Sequence, residues 1–232
     1  RVIGCELWSD HPDFAEQTAE LGITGICGSG IIEVLAELYL AQVINSDGVV
    51  DGTLSSRSER IVADGRTFAY VLHEGEIRIA ITQNDVRAIQ LAKAALYAGV
   101  RLLMDKLNVD AVDRIRLAGA FGSHIDVKYA MVLGLIPDCV LENVTSAGNA
   151  AGSGAHIALV DGNAREEIER EIRRIEKVET AVENRFQEHF VEAMAIPHKS
   201  APFEELGKAV TLPARVDSAP DTPPSRRRRR RR

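Results

Sequence analysis

Three times along this chain an apolar run breaks into glycines and then opens a helix: "GITGICGSGIIEVLAEL" at 22–38, "RIRLAGAFGSHID" at 114–126 and "VTSAGNAAGSGAHIALVDG" at 144–162. Glycine lets backbone N–H groups approach a ligand closely, and a helix start adds the positive end of its dipole. One such turn is as readily a tight strand-to-helix connection. Three in one chain favour a shared ligand cleft in an α/β fold, with the turns on one side of a mixed sheet.

The intervening segments fill in that fold. Ile31, Ile32, Leu35, Tyr39 and Val43 recur at helical spacing, which predicts a helix to about residue 44 before "NSDG" stops it. Residues 49–81 alternate turn clusters with the β-rich runs "TFAYVLH" and "IRIAIT", so a small antiparallel ribbon is expected between helices. Thr82 and Asp85 read as a capping box. The long helix behind it has Val86, Ile89, Leu96, Val100, Leu103 and Leu107 as its inward stripe. Lys93 falls on that stripe, either snorkelling to water or aiming its ammonium into a polar pocket beside the core. Ile115 to Ala118 is a short strand, with a helix after it from about Asp126. In the third turn Ser146, Gly148, Asn149, Gly152 and Gly154 feed a small-residue helix, where Gly152 and Gly154 also suit close helix packing. "AREEIEREIRRI" reads as a solvated charged helix, "KVET" as a short strand, and "ENRFQEHFVEAM" as a last amphipathic helix with Phe186, Phe190 and Met194 inward. The opening "RVIGCELW" is β-like.

Charge and composition exclude several functions. The net charge of −6 already includes the seven arginines Arg226 to Arg232, so the body ahead of them is far more acidic. Nucleic acid binding is thereby left to the arginine tail. No apolar run is long enough to span a membrane and no secretory signal stands at the start, so a cytoplasmic protein is expected. Cys5, Cys27 and Cys139 are odd in number and form no C-x-x-C pair, which reads as reduced thiols. Residues 1–207 make one globular unit, with 49–81 a β-rich insertion, and 208–232 are expected to be a disordered Pro/Arg-rich tail. The chain opens on Arg1 without a methionine and is read as a piece of a longer polypeptide.

The combination "GICGSGIIE", "ITQNDVRAIQLAKAA", "RIRLAGAFGSHID" followed by "GLIPD", and "SAGNAAGSGA", in this order from about Ile23 to about His198, resembles the C-terminal part of the reductive activators of corrinoid proteins. The resemblance implies a ribonuclease-H-like subdomain of the actin, sugar kinase and heat-shock chaperone type, with a mixed sheet flanked by helices. It implies ATP-dependent return of a corrinoid protein from Co(II) to Co(I), with an electron from a [2Fe-2S] domain absent from this chain. The expected cofactor is ATP with magnesium. The expected partner is a corrinoid protein or corrinoid-dependent methyltransferase, with the activator a homodimer. On the same resemblance Gly119, Ala120, Phe121 and Gly122 back the nucleotide, and Gly28, Ser29, Gly30 and Glu33 approach ribose and phosphate. Gly148 and Asn149 belong to a connecting helix, and Lys93 is a further candidate contact. The aspartate-bearing phosphate loop and the four-cysteine cluster motif of that family have no match here, so catalytic residues are not named. Cys27 stands where related dehydratase activators carry a cluster cysteine, against the ordinary reading of a buried thiol. A small-molecule kinase of the same fold and a non-catalytic interaction module are the alternatives.

Overall fold

The structure, a computed structural model, describes residues 2–214. Its elements run α1 (Phe14–Thr18), α2 (Gly28–Leu40), β1 (Ile61–Asp64), β2 (Thr67–His73), β3 (Ile79–Ile81), α3 (Gln83–Leu107), β4 (Ile115–Ala118), α4 (Ala120–His124), α5 (Val127–Leu133), β5 (Val144–Gly148), α6 (Ala150–Val160), α7 (Gly162–Ile172), α8 (Asn184–Glu192) and α9 (Glu204–Ala209). The expected mixture of parallel and antiparallel strands is present, divided between two sheets. β1, β2 and β3 form an antiparallel sheet in that order, and β4 pairs with β5 in parallel.

The core forms where α2, α3 and α5 meet the antiparallel sheet. Ile32, Leu35, Ala36 and Tyr39 of α2 pack with Val86, Ala94 and Tyr97 of α3, Ala130 to Leu133 of α5, and Ile81. Helix α3 starts on the capping box read from the sequence: the Thr82 hydroxyl accepts from the Asp85 N–H, and the Asp85 carboxylate accepts from the Thr82 N–H at 2.8 Å. It ends on Asn108 in the left-handed region at φ 54°. Helix α8 lies along α3, tied by the His189 ring to Asp105 at 2.6 Å.

Several expectations are corrected. The inward face of α3 runs through Val86, Gln90, Lys93, Ala94, Tyr97, Ala98 and Leu102, whereas Leu96, Leu103 and Leu107 face solvent. Two polar side chains lie on the buried face because backbone carbonyls there satisfy them, so apolarity alone rotated the stripe. Within "RVIGCELW" the described residues 2–8 form no strand but a turn, with Gly4 at φ 91° and the Cys5 N–H bonded back to the Val2 carbonyl. "KVET" is not a strand: no β neighbour lies beside it to take its backbone groups, and the chain turns there into a 3-10 segment, Thr180–Val182. Order continues past Lys208, since α9 reaches Ala209 and Val210 and Leu212 pack against the core. The tail from 215 on, arginines included, lies outside the described residues. Helices α6 and α7 bury none of their residues, and Ile157, Leu159 and Val160 are left facing outward.

Candidate functional site

The first turn is organised by a cysteine. Cys27 occupies the N-cap of α2, and its Sγ accepts from the Gly30 N–H at 3.3 Å and meets the Ser29 hydroxyl at 3.5 Å. The Ser29 contact first, then the Gly30 N–H, hold the thiol below its ordinary pKa, and the nearby Glu33 carboxylate opposes them. The Gly30 amide expected to face a ligand is therefore spent within the turn. The Ile31 N–H is also taken, by the Cys27 carbonyl. The first turn of a helix leaves its leading amides without intrahelical partners, so those of Gly28 and Ser29 remain for a ligand. Cys27 is exposed, which corrects the buried-thiol reading.

The second and third turns are built as a pair on the ends of the parallel strands β4 and β5. Gly119 has φ 99° and Gly148 φ 60°, a region that side chains rarely adopt, and nothing lies within 4 Å in the direction a Cβ would take at either. The Gly119 N–H donates to the Gly148 carbonyl at 2.8 Å. Ser146 Oγ donates to Ser123 Oγ at 3.1 Å, and Ser123 Oγ in turn donates to the Gly119 carbonyl at 3.1 Å. Asn149 caps α6 by accepting from the Gly152 N–H at 2.9 Å. Ala120 is exposed on the rim, and His124 Nδ1 lies 2.8 Å from its carbonyl.

Phe121 joins these turns to the first. Its ring edge lies 3.3 Å from where a Cβ would stand on Gly28. The Phe121–Gly28 contact and the Gly119–Gly148 bond thus link the three turns near the protein surface, where Gly28, Ala120, Phe121 and Asn149 are exposed and Ser29, Gly119 and Gly148 half-buried. Gly122 does not open onto it: a Cβ there would stand 3.0 Å from the Leu117 Cβ and 3.2 Å from its carbonyl carbon. It is a packing glycine against β4. Glu33 sits half-buried one turn into α2.

Lys93 is placed elsewhere. It is 1% exposed, and its ammonium donates to the Ala195 carbonyl and, at 2.7 Å, to the Pro197 carbonyl. Burial pulls its pKa down to about 7. Gly134, at the end of α5, is required beside it, because a Cβ would collide with the Pro197 oxygen. Gln90, one turn earlier, donates to the Asp47 and Met194 carbonyls at 3.0 and 2.9 Å. The two polar side chains of α3 therefore clamp the 194–198 segment and hold no part of the glycine turns.

Sequence reasoning missed the Ser123–Ser146 pair and the capping role of Cys27. The serines each stand beside a glycine turn, a usable signal; a cysteine cap is not, since N-caps are ordinarily Ser, Thr, Asp or Asn. Among the described residues no group of three or more His, Cys, Asp or Glu side chains could hold a metal ion, and no helix is long and apolar enough to cross a membrane.

Comparison with known proteins bears on the family and the fold. A corrinoid activation enzyme, RamQ of Eubacterium limosum, is 35% identical over 170 residues, covering 68% of this chain and 28% of that protein. The solved structure of a reductive activator for a corrinoid, iron–sulfur protein superposes with a TM-score of 0.68 at 34% identity, over 76% of this chain and 29% of that one. The chain thus spans under a third of the length of either relative. A family profile described as the C-terminal domain of RACo, the ASKHA domain, matches residues 2–207, and this chain belongs to that family.

Proposed function

We propose that this chain is the nucleotide-binding part of an ATP-dependent activator that returns the cobalt of a corrinoid protein to its reduced state. The observation that carries the reading is the convergence of three sequence-remote glycine turns, with Phe121 on Gly28 and Gly119 bonded to Gly148. The relatives, named for corrinoid activation, supply the partner class.

In this reading ATP, when bound, supplies the free energy for an uphill electron transfer. The residues of this chain bind and orient it. The amides of Gly28 and Ser29 at the start of a 13-residue helix suit phosphate. The bare backbone of Gly119, Ala120 and Gly148 permits close approach, and Phe121 offers a flat apolar face for a base. Glu33 and Asn149 are the polar side chains assigned to ribose hydroxyls in this proposal. The [2Fe-2S] centre and the residues that position magnesium are assigned to polypeptide outside this chain.

The test uses the longer protein that carries this domain, with its Co(II) corrinoid partner and a low-potential electron donor, following Co(I) by absorbance. Gly119→Val and Gly148→Val force a side chain onto a positive-φ backbone at the open face. Each is expected to lose ATP-stimulated Co(I) formation while the electron donor still reduces the iron–sulfur centre. Unchanged ATP stimulation in both variants, or no ATP binding by the unaltered protein, would refute the proposal.

A further inference from the structure

We propose that Ser123 and Ser146 are positioning residues of this cleft: their hydroxyls close a circuit of hydrogen bonds that fixes the Gly119 turn against the Gly148 turn. The inference rests on the nucleotide reading above and adds what holds the site in shape before a ligand arrives.

The strands alone do not fix that juxtaposition. β4 and β5 pair in register from Ile115 opposite Val144 to Leu117 opposite Ser146, and then the register slips, so that Ala118 stands opposite Gly148 and Ala147 is left over. A slip of this kind interrupts the ladder and re-aims the chain. The glycines that follow it, Gly119 and Gly148, sit at positive φ. Glycine has no side chain for packing to hold and loses more freedom than any other residue when it is ordered, so both positions call for an outside restraint.

The serines supply it. The Gly119 N–H donates to the Gly148 carbonyl at 2.8 Å, and the Gly148 N–H donates to Ser146 Oγ at 3.1 Å. Ser146 Oγ donates to Ser123 Oγ, and Ser123 Oγ to the Gly119 carbonyl, each at 3.1 Å. The bonds thus run in a closed circuit through the N–H and C=O of both glycines. Its direction is forced. A carbonyl only accepts and an amide N–H only donates, so Ser123 gives its proton to Gly119 and must take one from Ser146, which in turn accepts from Gly148. Both serines are exposed, yet neither hydroxyl has a proton left to offer a ligand. Their effect on a ligand therefore passes through the glycines they hold. Ser146 stands at the last pair before the slip and Ser123 on α4, so the circuit spans the point where the ladder gives way.

The test uses the longer protein that carries this domain, with Ser123→Ala, Ser146→Ala, the double variant, and Ser146→Thr, which keeps the hydroxyl. Hydrogen exchange of the ligand-free protein, read peptide by peptide, reports the circuit. Calorimetry with ATP and magnesium reports its use. Ser146→Ala should speed exchange across the Gly119 turn, and Ser123→Ala across the Gly148 turn, in each case the turn that does not carry the substitution. ATP affinity should fall about threefold to tenfold in either single variant, the worth of an ordinary hydrogen bond. A circuit opens wherever it is cut, so the double variant should fall no further than the weaker single one, and Ser146→Thr should bind like the unaltered protein. Additive losses, or unchanged exchange in the opposite turn, would overturn the circuit. Faster exchange with ATP affinity unchanged would overturn the positioning role and leave the nucleotide reading standing. If the unaltered protein binds no ATP, both fall together.

Discussion

The sharpest test of the packing concerns Lys93, a charged group 1% exposed with its pKa drawn from 10.5 to about 7 by burial. A lysine that loses its proton more easily when folded makes the folded state gain on the unfolded one as pH rises. Below pH 7 both states are protonated and pH has no leverage through this group. Between 7 and 10.5 the unfolded chain holds a proton that the folded chain has released, so stability climbs by up to about 1.4 kcal/mol per pH unit. Integrated from pH 7 to 9 with these two pKa values, the gain is about 2 kcal/mol. Other groups titrate as well, so the measurement is the difference between wild type and Lys93→Met, by urea unfolding at pH 6, 7, 8 and 9. Methionine removes the titration but leaves the Ala195 and Pro197 carbonyls without their donor, which offsets the whole curve by about 1–3 kcal/mol per carbonyl without tilting it. The tilt is the readout: wild type should gain on the variant by about 2 kcal/mol between pH 7 and 9 and by little between 6 and 7. A flat difference across that window, or a Lys93 Cε resonance titrating near the ordinary lysine value, would refute the burial argument.

Three further outcomes follow from single contacts. Thr82→Ala removes the hydroxyl that caps α3 and should lower unfolding stability by about 1 kcal/mol, measured in urea. Gly122→Ala sets a methyl against the Cβ and carbonyl of Leu117 and should cost about 1–3 kcal/mol of stability, the folded fraction keeping its ligand affinity; a loss of affinity at unchanged stability would return Gly122 to the cleft. Cys27, exposed and with its thiolate favoured by Ser29 and the Gly30 N–H, should be alkylated by iodoacetamide ahead of the buried Cys5 and Cys139, as read by peptide mass spectrometry.

What could be read in the sequence is what local physics decides. The capping box at Thr82 and Asp85, the ribbon before α3 and the second and third strand-to-helix turns depend on residues a few positions apart, and each forms as expected, whereas the first glycine turn opens α2 with no strand ahead of it. The inward face of α3 was misjudged because Gln90 and Lys93 are buried by partners some 100 positions downstream, the carbonyls of Met194, Ala195 and Pro197. Periodicity sees apolar residues and cannot see such carbonyls, so it assigned Leu96, Leu103 and Leu107 inward. "KVET" failed for the same reason in reverse: strand propensity was present and a neighbouring strand was not.

The site shows how far a glycine pattern carries. Gly28, Gly119, Gly122 and Gly148 look alike in sequence, yet three physical demands separate them. Gly119 and Gly148 are glycines because their φ is positive, Gly122 because Leu117 fills the space of a side chain, and Gly28 because Phe121 does. Only the first two have open space where a side chain would stand. Nor do the motif residues alone make the convergence. The parallel pairing of β4 with β5 brings Gly119 beside Gly148, and the packing of α5 on α2 carries the Phe121 turn to the start of α2. The parallel pair also shows what this chain leaves undone. Parallel strands are ordinarily covered on both faces, but the helices that follow β5, α6 and α7, bury none of their residues. The three turns of the proposed site are thus in place, while α6 and α7 leave the layer behind β5 open among the described residues. In the proposed reading, substitutions at Gly119 and Gly148 report on binding, and those along α6 on what packs there.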